Sequence, residues 1–152
     1  MQYSFELRAC AILIASSTVF VGACSLRDSA ASDESLLSIP VLSSENIDIS
    51  GLNKRINNQS ESDLFAVLSM ISGPISEQGA VVVRSNRKGS EKEYSVVLIN
   101  DNIPDDDSVS GYRYHIVLKR NISDKWIVVE MKQSWRCWED RGHTQFSAEP
   151  CV

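Results

Sequence analysis

The chain has 152 residues, 43% of them apolar and 23% charged, with a formal net charge of −5. Those proportions belong to a globular protein and exclude a disordered acidic chain. The length admits one domain plus a targeting segment, and the Lys and Arg residues, nowhere denser than "NKR", offer no basic face to a nucleic acid.

The N-terminus reads "MQYSFELRACAILIASSTVFVGAC". Arg8 closes a short polar region, and an uncharged run of 18 residues, Ala9 to Leu26, follows. That length is the lower edge of what crosses a bilayer as a helix. Its many Ala, Ser, Thr and Gly residues dilute it, so residues 1–23 read as a secretory signal peptide and not as an anchor. The last four residues, Val21-Gly22-Ala23-Cys24, resemble the lipobox of bacterial lipoproteins. That resemblance implies cleavage before Cys24, acylation of Cys24 with fatty chains, and stable attachment to a lipid bilayer, since several chains hold where one is marginal. With Ser25 and not Asp after the cysteine, it also implies the outer membrane, facing the periplasm.

Of the four cysteines, Cys10 then leaves with the signal peptide and Cys24 carries lipid. Cys137 and Cys151 remain as an even pair in an oxidising compartment, where a disulfide is the expected state.

Residues 24–38, rich in Ser, Ala and Asp, are expected to be a flexible tether between lipid and a single domain over 39–152. The stretch 39–59 shows no clear period; Ile39, Val41, Leu42, Ile47 and Ile49 can lie on the domain as a lead-in. Leu64, Val67, Leu68 and Ile71 recur at helical spacing and predict one helix over 60–73, with Ser60 as cap, Asp63 in an imperfect capping box, and Gly73-Pro74 as the stop. The period then switches to two. Residues 79–85 and 91–100 read as strands joined through "NRKG", with Gly89 in the turn. In 111–120, Tyr112, Tyr114, Ile116 and Leu118 face one way, and Arg113, His115, Val117 and Lys119 the other. A fourth strand over 125–135 follows the short turn "NISD". The expected fold is α+β, one helix across a four-stranded antiparallel meander, with the C-terminal loop closed by a disulfide. This order resembles cystatin-like folds in topology alone.

The tail "SWRCWEDRGHTQFSAEPCV" concentrates chemistry. A hydrolase could use His143 with Asp140 or Glu139, but no nucleophile motif accompanies them. The bland alternative is a polar loop in which Arg141 pairs with a carboxylate, Gly142 turns and His143 bonds to backbone. A zinc site could use Cys137, Cys151, His143 and His115, without the short ligand spacings that structural zinc favours. Calcium could use Asp101, Asp105, Asp106 and Asp107, but the spacing departs from that of a calcium loop and reads as a solvated hairpin. Trp126 shares a face with Val128 and is expected in the core. Trp135, Trp138, Arg141, His143 and Phe146 form a possible binding surface. Neither a cofactor nor a resident metal is expected.

The segments "DDSV" (106–109), "YRYHIVLKR" (112–120), "KWIVV" (125–129) and "WRCWEDRGHTQFSAEPC" (135–151) together resemble a small domain of exported bacterial proteins that has no assigned activity. The resemblance implies that the tail belongs to the folded domain, and it implies no function. Where that pattern has a tight turn before Arg141, this chain has Glu139-Asp140. The expected protein is a membrane-anchored, non-enzymatic envelope module whose partner is an envelope protein or a glycan.

Overall fold

The computed structural model describes residues 33–59, 63–73, 79–87, 92–103 and 107–152. The signal peptide, Cys24, Ser60, Gly89, Asp105 and Asp106 lie outside those residues. Helices α1 (Asp33–Ser38), α2 (Ser50–Gln59) and α3 (Leu64–Ser72) precede four long strands: β2 (Ala80–Arg87), β3 (Glu93–Asp101), β4 (Val109–Arg120) and β5 (Trp126–Cys137). A two-residue strand β1 (Glu45–Asn46) pairs with β5, giving one antiparallel sheet in the order β1-β5-β4-β3-β2. The α+β class and the meander therefore stand, and the count of one helix and four strands is corrected, among the described residues, to three helices and five strands. No described helix is long and apolar enough to cross a membrane.

Each correction has a local cause. Asp63 sits at the start of α3 and accepts a hydrogen bond from the Phe65 N–H, which satisfies one of the free donors of the first turn. Gly73 ends that helix at φ 73°, a conformation that favours glycine. In α2 only Leu52 and Ile56 are buried, so its apolar signal is two residues at i,i+4 in a polar sequence. Helix α1 lies inside the stretch expected to be a tether; Leu36 is buried there, so the packed part begins before residue 39.

The sheet separates two cores. Leu52, Ile56, Val67 and Leu68 from the helices meet Val96, Leu98, Ile116, Leu118, Trp126, Val128 and Met131 on the first face. Fully burying each such aliphatic side chain contributes about 1.5–3 kcal/mol. Leu36 from α1 meets Val82, Ile99 and Phe146 on the second face. Alternation along β5 breaks once: Val117 opposes Glu130 and Leu118 opposes Val128, leaving Val129 as the extra residue of a β-bulge. Trp126 and Val128 therefore point to the helices, Met131 also does so, and Lys132 and Ser134 are turned to the second face beside Arg113 and His115.

The outer edge of β5 is covered piecewise. Asn53 of α2 donates from Nδ2 to the Val128 carbonyl at 2.8 Å and accepts from the Val128 N–H at 2.9 Å, standing in for a neighbouring strand. Further along, β1 opposes Lys132 and Gln133, and Ser147 exchanges both backbone hydrogen bonds with Trp135. Such cover removes the template that a bare edge presents to other chains.

Candidate functional site

The tail after β5 folds back on the sheet and is closed by the Cys137–Cys151 disulfide, with Cα atoms 5.6 Å apart. Asp140 at φ 68° and Gly142 at φ 137° reverse the chain inside that loop. A Cβ on Gly142 would lie 3.0 Å from Cys137 Sγ, so the close passage of the loop over the disulfide needs glycine. The Cys137 N–H then donates to the His143 carbonyl, and the Phe146 N–H donates to the Pro40 carbonyl. Ser43 and Ser147 join their hydroxyls at 2.8 Å. The tail is thus held between β5 on one side and residues 40–43 on the other.

His143 is the centre of this clasp. Its Nδ1 lies 2.8 Å from the Gln145 carbonyl oxygen and its Nε2 lies 2.9 Å from the Glu149 carbonyl oxygen. Carbonyls only accept, so a neutral ring with one N–H satisfies one of them and a doubly protonated ring satisfies both. The Trp135 indole N–H donates to the same Glu149 carbonyl at 2.8 Å. Both ring nitrogens are directed at backbone, not at Asp140 or Glu139, whose side chains are exposed. Arg141 is exposed and forms no ion pair among the described residues, unlike the pairing its sequence context suggests. Trp135 and Trp138 are partly exposed, whereas Phe146 is 0% exposed and belongs beneath the surface with which it was grouped.

The donor atoms of Cys137, His143 and Cys151 lie within 4.8 Å of one another. With the disulfide formed, the two sulfurs are bonded together and are not thiolate ligands. His115 stands apart from that trio on β4, with Nε2 3.0 Å from the Ser95 hydroxyl. Asp101 also leaves the acidic loop. Its carboxylate accepts from Arg136 Nε and Nη2 at 2.8 Å each, a two-pronged pair spanning from β3 to β5. Gly111 of β4 lies between them, and a Cβ there would come 2.5 Å from Asp101 Oδ1.

A cavity lies elsewhere, between the helix layer and the first face of the sheet. It holds about 460 Å³ and is lined by Ile47 and Asp48, by Gly51, Leu52 and Arg55 of α2, by Met70 and Ile71 of α3, and by Tyr114, Met131 and Gln133 of the sheet. The lining combines apolar Ile47, Leu52, Met70, Ile71 and Met131 with the polar residues Asp48, Arg55, Tyr114 and Gln133. Burial, with a smaller contribution from the neighbouring Tyr112, pushes the Tyr114 phenol up to about 12, so it stays protonated and can donate. Asp48 is held below the usual carboxylate range by hydrogen bonds from the Ser50 hydroxyl and N–H, and stays ionised. Sequence reasoning missed this cavity because α2 was not legible. Its sheet side was visible in part, as the Tyr112–Tyr114–Ile116 alternation.

No protein-family model, no curated protein and no solved structure matches the chain.

Proposed function

We propose that this is a lipid-anchored envelope protein whose domain is a non-enzymatic binding module, with the cavity under α2 and α3 as its ligand site. The anchor rests on the Val21–Cys24 resemblance to a lipobox and on the export that it implies. The observation that carries the binding reading is the lining of the cavity: apolar Leu52, Ile71 and Met131, a cationic Arg55, and no Cys, His or Ser among the described lining residues. A pocket of several hundred Å³ with few polar groups is the usual form of a small-molecule site. Its lining suits a small amphipathic ligand, with the apolar body against the apolar residues and an acceptor group at Arg55, Gln133 or Tyr114.

The alternative of a hydrolase built on His143 fits less well, because both ring nitrogens are directed at carbonyl oxygens within the clasp. The alternative of a metal-binding envelope protein takes two forms: a zinc site on Cys137, His143 and Cys151 requires the Cys137–Cys151 bond to be reduced first, and a calcium site on Asp105 to Asp107 falls largely outside the described residues.

Gly51 lines the cavity with nothing within 4 Å of the position a Cβ would take, so a side chain can start there, and Gly51→Phe is expected to obstruct the cavity. Native mass spectrometry of protein released gently from membranes is expected to show a small-molecule adduct that Gly51→Phe loses. An adduct retained in full by Gly51→Phe, or none across a panel of amphipathic compounds, would contradict the cavity reading. Cys24→Ala is expected to move the protein from membranes to the soluble periplasmic fraction, and persistence in membranes would contradict the anchor.

A further inference from the structure

We propose that the second face of the sheet carries a separate binding site for an oxyanion, a carboxylate or phosphate group gripped by the Arg113 guanidinium. The site is a pocket of about 240 Å³ lined by Val41, Ser44, Arg113, His115, Lys132 and Ser134. It is smaller than the roughly 300–1,000 Å³ typical of drug-sized ligands, and suits one anionic group with a short carbon arm.

Three observations point to an anion. First, the pocket collects Arg113, His115 and Lys132 with no carboxylate among its described lining residues, in a chain whose net charge is −5. His115 and Lys132 are direct cross-strand partners, a placement that costs stability when both are charged. Second, Arg113 has no ionic partner among the described residues. Its cross-strand neighbours are Ile99 and Ser134. The carboxylates of this face are already engaged: Asp101 with Arg136, Glu93 with Lys119, and Glu130 with Lys132. Third, Arg113 Nη1 is buried without a hydrogen-bond partner among the described residues, while the guanidinium lies 5.7 Å from the centre of the Phe146 ring. An unsatisfied buried donor costs about 1–3 kcal/mol, more when charged. The guanidinium fork fits the two oxygens of a carboxylate or phosphate, and the Ser44 and Ser134 hydroxyls add neutral donors. Burial draws the Arg113 pKa down from its ordinary value, the direction expected of a cation that has lost water and gained no counter-charge. The β5 bulge completes the site by turning Lys132 and Ser134 to this face.

This inference does not rest on the cavity under α2 and α3, which lies on the opposite face. The test is thermal melting of the detergent-solubilised full-length protein with sodium phosphate or sodium acetate, against sodium chloride at matched ionic strength. A saturable rise in melting temperature with phosphate or acetate, beyond chloride, is expected. The salt that saturates at the lower concentration identifies the source as phosphate or carboxylate. Arg113→Met keeps an apolar arm on Phe146 and is expected to melt in chloride no lower than the parent, with the oxyanion response lost. Lys132→Gln, at a half-exposed position, is expected to fold and to weaken the response roughly tenfold, as the loss of one charge-assisted hydrogen bond does. No rise beyond chloride with either salt would overturn the proposal. So would an undiminished response in Arg113→Met or, if that variant does not fold, in Lys132→Gln.

Discussion

Gly111 and Arg136 show how one missing side chain sets a feature that no motif reports. Arg136 reaches across β4 to Asp101 because Gly111 leaves the way open. Asp101 is only 7% exposed, so breaking the pair would strand a charge in the interior. Gly111→Ala is expected to destabilise the fold by on the order of 3 kcal/mol, read from chemical denaturation. Asp101 was legible as one acid of a polar loop; its partner 35 residues away was not, because that pairing depends on strand register. The tail residues behave similarly. The disulfide, the turn at Gly142 and the backbone bonding of His143 were legible from parity, composition and spacing, whereas the burial of Phe146 depends on residues 40–42 crossing over it. Tyr114 supplies a pH signature. Its folded pKa lies near 12, above the ordinary value of 10.0, so the native state favours the protonated phenol. That contribution is fully present below pH about 10 and fades as pH rises through about 12. Spectrophotometric titration is expected to show one tyrosine ionising about two units later than a free phenol.

At the scale of elements, strands with clean alternation were readable and the helices less so. β4 declared both its faces, and the structure puts Ile116 and Leu118 under the helices and Arg113 and His115 opposite. β5 hid its second half, since the bulge at Val129 inverts the alternation and no residue type marks it. α2 was illegible because its stability comes from docking and not from a long apolar stripe. Asn53 shows that dependence, pairing its amide with both backbone groups of Val128. Asn53→Ala is expected to cost about 1–3 kcal/mol, since it leaves two backbone groups without partners. Hydrogen exchange at the Val128 amide is expected to accelerate, and unchanged protection there would show that α2 does not guard that edge.

At the scale of the whole molecule, a thin domain is covered on both faces and then tied at its end. Helices α2 and α3 cover the first face, while α1, the 39–44 segment and the tail cover the second. The disulfide closes a loop with a sequence separation of 14, and loss of denatured-state entropy makes such a link worth about 3 kcal/mol in the chain-entropy model. Replacing Cys137 and Cys151 together by Ser is expected to lower the melting temperature by several degrees, as measured by calorimetry. Intact-mass spectrometry of protein extracted from membranes tests whether the protein is a lipid-anchored, disulfide-closed module. The expected result is a chain that begins at Cys24, carries acyl chains there, and has Cys137 and Cys151 oxidised. A chain that retains residues 1–23, or one with an unmodified Cys24 and free thiols at Cys137 and Cys151, would contradict it.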